Sequence, residues 1–314
     1  MTIRHLVSLK DMTLADVEEV FALATSVKAS PAMYFGAMAG KTLAMIFEKP
    51  STRTRVSFET GMTRMGGHAI YLSPKDMQLG RGETVSDTAR VLSRYVDLIM
   101  ARVFKHSDVL ALAGNSRVPV INGLSDFSHP CQGLADYFTL LEHKGTLAGL
   151  TLAYVGDANN NVCHSLLFGG AILGVNVHVG CPKGYEPNPE VLALAQKMGL
   201  ARGVRFMVTN DAAEAVNNVD AVYTDVWTSM GQEAEREQRI ATMRPYQVNM
   251  DLFKKAKPDA IFMHCLPAHR GEEVTDDVVD HARSVVLDEA ENRMHVQSAA
   301  MLLLVHHKVS TPCS

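Results

Sequence analysis

Short runs of aliphatic and β-branched residues recur along the chain, and the segments between them carry apolar residues at helical spacing. The first half has such runs at 42–47, 69–72, 97–103 and 118–124; the second has them at 150–155, 176–179, 204–208, 221–224 and 260–264. Their apolar character is nearly continuous and does not alternate with period two. That pattern predicts strands buried on both faces of mainly parallel sheets, with helices filling the crossovers. The polar, glycine-bearing stretch 142–149 separates the two sets. The expected fold class is therefore α/β: two α/β domains, 1–145 and 146–314, each with a mainly parallel sheet flanked by helices. Residues 290–307 have helical spacing and a charged start, and the pattern leaves open which domain they pack on.

Composition narrows the class. At 314 residues the chain is longer than one core usually serves, which favours about two domains. Apolar residues make up 47% and charged residues 20%, ordinary values for a globular protein. A net charge of −4 with no long basic block excludes nucleic acid as an expected partner, so any bound anion must be met by local cations. The chain does not open on an apolar run of secretory length, and 301–305 is too short to span a bilayer. No membrane partner is expected, and the expected location is the cytoplasm. Cys131, Cys163, Cys181, Cys265 and Cys313 are odd in number and lack CxxC spacing, so neither a disulfide framework nor a structural zinc is expected.

The most informative stretch is Phe47-Glu48-Lys49-Pro50-Ser51-Thr52-Arg53-Thr54-Arg55, between an expected strand and the helix-like run 56–65. Ser51 suits an N-cap, which would aim the first helical N–H groups and the positive end of the helix dipole at an anion. The hydroxyls of Thr52 and Thr54 add donors. Arg53 and Arg55 stand two apart, so one can fork onto phosphate oxygens while the other meets an acidic partner. A lone Ser-Thr-Arg reads more simply as a capped helix start; the whole nonapeptide argues for an anion. There is no GxxxxGK run, so a small phosphate ester or anhydride fits better than a nucleoside triphosphate.

Further polar turns follow other expected strands. Pro130 suits the first position of a helix, which would turn His129 and Gln132 toward a ligand; a neutral imidazole or a carboxamide can donate to a carbonyl oxygen. Residues 156–161, Gly-Asp-Ala-Asn-Asn-Asn, stand where a dinucleotide turn would but lack GxGxxG, which disfavours a nicotinamide cofactor and an oxidoreductase. Asp225 opens the loop Val226-Trp227-Thr228-Ser229-Met230-Gly231 and suits a substrate ammonium group, with the glycine allowing closure. His264 and Cys265 end the last run. Adjacent on a strand they would face opposite ways, so a shared metal is not expected. Singly, these residues read as helix caps or a buried structural thiol. Together, polar turns at the carboxyl ends of strands point to the crevice where open α/β sheets bind ligands, expected between the domains.

Ser51 to Arg55, His129-Pro130-Cys131-Gln132, Asp225 with Ser229-Met230-Gly231, His264-Cys265-Leu266-Pro267 and Glu291-Asn292-Arg293 together resemble the aspartate/ornithine carbamoyltransferase family, closest to its ornithine branch and along nearly the whole chain. The resemblance implies transfer of a carbamoyl group from carbamoyl phosphate to the δ-amine of L-ornithine, giving citrulline and phosphate in arginine biosynthesis. It implies carbamoyl phosphate on Ser51, Thr52, Arg53, Thr54, Arg55, Arg102, His129, Gln132 and Arg293, with Gln78 reaching a neighbouring subunit's site. It places ornithine on Asn161, Asp225, Ser229 and Met230, with Cys265 and Leu266 touching both substrates, and gives catalytic roles to Arg53, Arg102, His129 and Cys265. It further implies no metal or organic cofactor, a homotrimer or a multiple of trimers, and a final helix returning to the first domain. Aspartate enzymes share the phosphate motifs but lack the Ser-Met-Gly loop and differ where Cys265 and Leu266 stand. Putrescine or an N-acylornithine as acceptor, and a non-catalytic paralogue that kept the pocket, are the remaining readings.

Overall fold

The computed structural model describes residues 4–73, 77, 82–228 and 236–306. Among these, each expected run forms a strand: β1 Thr42–Phe47, β2 His68–Leu72, β3 Leu98–Arg102, β4 Val120–Leu124, β5 Thr151–Val155, β6 Asn176–Gly180, β7 Phe206–Thr209, β8 Ala221–Thr224 and β9 Ile261–Met263. Between and around them lie α1 Leu14–Ala29, α2 Thr52–Arg64, α3 Val85–Leu92, α4 His106–Asn115, α5 Pro130–Lys144, α6 Asn161–Leu173, α7 Pro189–Gly199, α8 Ala212–Val216, α9 Arg236–Met243, α10 Met250–Phe253, α11 Asp276–Val279 and α12 Val286–His306. No helix among the described residues is long and apolar enough to cross a membrane.

The strands form two all-parallel sheets, ordered β2-β1-β3-β4 and β7-β6-β5-β8-β9. In the first, strand order reverses between β1 and β3; in the second, between β5 and β8. Loops leaving the carboxyl ends of those four strands border the positions where doubly wound sheets take ligands. The expected Ser51 turn, Arg102, the 156–161 turn and Asp225 are on those loops or strand ends. The sheets supply two cores, one around Ala44, Ile46, Ile99, Ala101 and Val120 and one around Ala153, Val155, Val222, Phe253 and Phe262.

Two compact units result. One comprises the chain through Leu134 and again from Asn292, and the other Ala135–Glu291. The division between the units falls inside α5. The question of the last helix is also answered. From Asn292 onward α12 packs within the first unit: Lys28 Nζ donates to Asn292 Oδ1 at 2.8 Å, and His306 Nε2 lies 2.8 Å from the Ala37 carbonyl. Gly61 on α2 permits the close approach, since a Cβ there would sit 2.8 Å from Ser298 Oγ.

In the second unit every residue of α6 from Val162 to Leu173 is buried. A Cβ on Gly169 would overlap the ring of Tyr137, whose hydroxyl donates to the Leu166 carbonyl. Gly169→Ala is expected to lower stability by about 1–3 kcal/mol through overpacking. Gly114→Ala, where a Cβ on α4 meets nothing within 4 Å, is expected to be neutral or to add up to ~1 kcal/mol. Urea unfolding of the two variants checks both; equal stability would refute the packing claim.

Candidate active site

In the first unit the chain leaves β1 and is tied at once to the end of β3: the N–H groups of Glu48 and Lys49 donate to the Arg102 carbonyl at 2.9 and 3.4 Å. Ser51 then takes an extended conformation, and its Oγ accepts the Thr54 N–H at 3.3 Å, making it the N-cap of α2. The helix begins at Thr52, ahead of the apolar run that signalled it, because its first turn is wholly polar. That turn contains no acidic residue and carries Arg53 and Arg55 at the end where the helix dipole disfavours cations. A helix start built only for its own stability would be charged the other way.

The two arginines differ. Arg55 is exposed, with Nε 2.9 Å from Glu59 Oε1 and its guanidinium 4.0 Å from the Tyr71 ring centroid, so it has the acidic partner. Arg53 is half-buried, and its Nε has no hydrogen-bond partner among the described residues. Thr54 is fully buried; its Oγ1 accepts from Ser51 Oγ at 3.1 Å and from Arg293 Nη2 at 2.8 Å. Arg102 at the end of β3 and Arg293 on α12 are only 7% and 4% exposed. Both press on His129: burial, then Arg293, then Arg102 hold its imidazole well below the usual range. His129 is therefore neutral at physiological pH and can donate one N–H without adding charge. Gln132 is buried in the first turn of α5, which starts at Pro130 as expected. Cys131 beside it is a structural thiol, pushed up to about 12 mainly by burial.

In the second unit Asn160 caps α6, its Oδ1 accepting the N–H groups of Val162 and Cys163 at 2.9 Å, so Asn161 is the first helical residue. Arg239 on α9 binds the Asp157 carboxylate and donates to the Trp227 carbonyl at 2.7 Å, joining the loops that follow β5 and β8. Asp225 comes directly after β8 and is nearly buried. Its Oδ1 accepts the Val226 N–H at 2.8 Å and the Cys265 thiol at 3.1 Å. Burial raises the Asp225 carboxyl above the usual range, opposed by His264 and by the Cys265 hydrogen bond. Burial, then the Asp225 and Glu289 carboxylates, push the Cys265 thiol well above its ordinary value. Cys265 is a neutral thiol that donates.

His264 is fully buried. Its Nδ1 accepts the Leu266 N–H at 2.9 Å, which puts the proton on Nε2, 3.1 Å from Glu273 Oε1; its own backbone N–H donates to Glu289 Oε2 at 3.0 Å. These bonds hold Leu266 at φ 56°, a conformation an L residue with a γ-branched side chain seldom adopts. The expectation that His264 and Cys265 point to opposite faces does not survive. β9 ends at Met263, so both lie beyond the strand, and donor atoms of Asp225, His264 and Cys265 fall within 4.8 Å of one another. Each of these donors is already engaged by a protein hydrogen bond.

Ser51, Thr54, Arg102, His129 and Arg293 are thus joined by direct bonds or mutual charge effects, with Thr52, Arg53 and Gln132 in the adjoining helix turns. Arg55, on the same turn, pairs with Glu59 and lies over the Tyr71 ring. Gln78, Ser229 and Met230 lie outside the described residues. The sequence reading missed Arg239, Glu273, Glu289 and Asp136. A charged residue on a helix or turn looks solvated until three-dimensional burial is known, so no spacing marked them.

A half-buried thiol hydrogen-bonded to a carboxylate should be a poor nucleophile. Cys265 is expected to react with iodoacetamide at pH 8 more slowly than free cysteine, and Asp225→Asn to speed that reaction, followed by peptide mass spectrometry. A Cys265 as reactive as free cysteine would contradict the assignment.

Two family models match the chain. "Aspartate/ornithine carbamoyltransferase, carbamoyl-P binding domain" covers residues 4–142, and "Aspartate/ornithine carbamoyltransferase, Asp/Orn binding domain" covers 148–304. An ornithine carbamoyltransferase of Thermococcus kodakarensis is 56% identical over 304 residues, 96% of each chain. One of Pyrococcus furiosus named "Ornithine carbamoyltransferase, anabolic" is 61% identical over 266 residues, 85% of this chain and 84% of that one. The solved structure of an ornithine carbamoyltransferase from Pyrococcus furiosus superposes with a TM-score of 0.93 at 56% identity, covering 96% of each chain.

Proposed function

The chain belongs to the aspartate/ornithine carbamoyltransferase family, and we propose that it transfers the carbamoyl group of carbamoyl phosphate to the δ-amine of L-ornithine, releasing citrulline and phosphate for arginine biosynthesis. The observation that carries the choice of acceptor is the Asp225–Cys265 hydrogen bond, a carboxylate and a neutral thiol presented together where β8 and β9 end. A carboxylate there suits a basic side chain. We assign phosphate binding to residues within 1–145 plus Arg293, and amine binding to residues within 146–314.

The phosphate sits at the start of α2, where Ser51, Thr52, Arg53 and Thr54 offer backbone and side-chain donors and Arg293 is braced by Thr54. Arg102 and the neutral imidazole of His129 donate to the carbamoyl oxygen, with Gln132 beside them. Ornithine is held by Asn161, Asp225, Ser229 and Met230. An alkylamine with a reference pKa of about 10.4 must lose a proton before it attacks, at a cost of roughly 4.6 kcal/mol at pH 7. Desolvation lowers that cost, and Asp225, more basic than an exposed carboxylate, takes the proton. The thiol keeps its own proton, so Cys265 orients Asp225 and, with Leu266, shapes the acceptor pocket. Attack forms the N–C bond; Arg102, His129 and Thr54 stabilise the oxyanion; the nitrogen then passes its second proton to a phosphate oxygen as the C–O bond breaks, so that hydrogen phosphate leaves as the dianion that Arg53 stabilises. Carbamoyl phosphate already carries its activating group, so the reaction needs no cofactor. We place this activity in the cytoplasm, in a trimer or a multiple of trimers in which Gln78 serves a neighbouring site.

A coupled assay for citrulline and phosphate, run with ornithine, aspartate, putrescine and N-acetylornithine, tests the reading; turnover with ornithine alone is expected, and preference for another amine would overturn it. Arg53→Leu is expected to lower turnover at least about a hundredfold, the scale for losing one preorganised charge at a transition state. Turnover near that of the parent would refute its role. Cys265→Ser is expected to raise the KM for ornithine more than that for carbamoyl phosphate, and equal changes in both would count against the acceptor assignment.

A further inference from the structure

Behind the Cys265 turn lie two carboxyl groups that the proposed chemistry does not use. Glu289, in the first turn of α12, and Asp136, on α5, are both fully buried and hydrogen-bonded to each other. Two ionised carboxylates offer only acceptors, so a hydrogen bond between them requires a proton. The remaining contacts of Glu289 look toward the acceptor loop. Its Oε2 accepts the His264 N–H at 3.0 Å, and its Oε1 lies 3.3 Å from the donating Tyr223 hydroxyl. His264 is the residue whose ring takes the Leu266 N–H, so one side chain anchors the peptide that carries both Cys265 and Leu266.

We propose that Glu289 and Asp136 share one proton at neutral pH, and that Glu289 is a positioning residue which holds the His264 peptide and thereby fixes Cys265 and Leu266 for the amine acceptor. The inference deepens the proposed function and rests on it for the acceptor's identity. Electrostatics runs the same way. Among the groups facing the pair are Tyr137 on α5, Tyr223 on β8, Cys265, and the His264 backbone with Glu273 behind its ring. Burial and then Asp136 hold Glu289 well above the usual carboxylic range. A second full anion here would compete with Asp225 for the substrate ammonium; the shared proton keeps Asp225 the principal acceptor of that charge.

The test uses the full chain and two variants, Glu289→Gln and Glu289→Ala. Gln is isosteric with protonated Glu, accepts the His264 N–H and donates to Asp136. Glu289→Ala leaves that buried N–H unsatisfied, and is expected to raise the KM for ornithine about tenfold or more while changing the KM for carbamoyl phosphate less than about twofold. Glu289→Gln is expected to restore near-parental constants. Infrared difference spectra of the parent against Glu289→Gln at neutral pH are expected to show the C=O stretch of a protonated carboxyl in the parent only. An unchanged ornithine KM in Glu289→Ala, or equal rises in both KM values, overturns the positioning role. A Glu289→Gln variant as impaired as Glu289→Ala, or a parent without the protonated-carboxyl band, overturns the shared proton. If Glu289→Ala does not fold, the Glu289→Gln kinetics and the infrared band still decide. A band present in a parent that makes no citrulline would sink the proposed function and leave the proton pair standing.

Discussion

Two guanidinium groups, Arg102 and Arg293, are held almost entirely out of water beside the same imidazole, at the positive end of α2. Burying like charges together is expensive. A bound dianion reverses the sign of that energy: cations, helix dipole and N–H donors that oppose one another become jointly attractive. Much of the first unit follows from keeping this arrangement. Ser51 caps the helix, the Arg102 carbonyl ties β3 to the turn, and α12 returns to the first unit so that Arg293 reaches the buried Thr54.

The second unit gathers the opposite charge. Asp225, Glu273, Glu289 and Asp136 are buried in the neighbourhood of one short turn, and the groups among them are either hydrogen-bonded donors and acceptors or pushed toward their neutral forms. In the proposed reaction, the first unit meets the phosphate that leaves and the second an amine that arrives charged and reacts neutral. That contrast links the electrostatics of each sheet's carboxyl-end loops to a group transfer from phosphate to nitrogen.

Much of this was legible in residue order. Buried parallel strands advertise themselves by unbroken apolar runs, and each expected run formed a strand. Ser51 and Pro130 signal helix starts through local backbone chemistry, which needs no tertiary partner. Burial and partner choice were not legible. Glu289 and Asp136 look like ordinary polar positions on helices. His264 and Cys265 were read by strand geometry that stops at Met263, so their shared direction was missed. That one of the two arginines meets an acidic partner was legible from their spacing; that it is Arg55, with Glu59, was not.

Diffraction from a crystal soaked with a phosphonate analogue of carbamoyl phosphate addresses the anion site most directly. The phosphonate oxygens should lie within hydrogen-bonding distance of the first N–H groups of α2 and of Arg53 and Arg293, with the carbonyl oxygen on Arg102 and His129. Density for the analogue elsewhere, with the start of α2 unoccupied, would contradict the account.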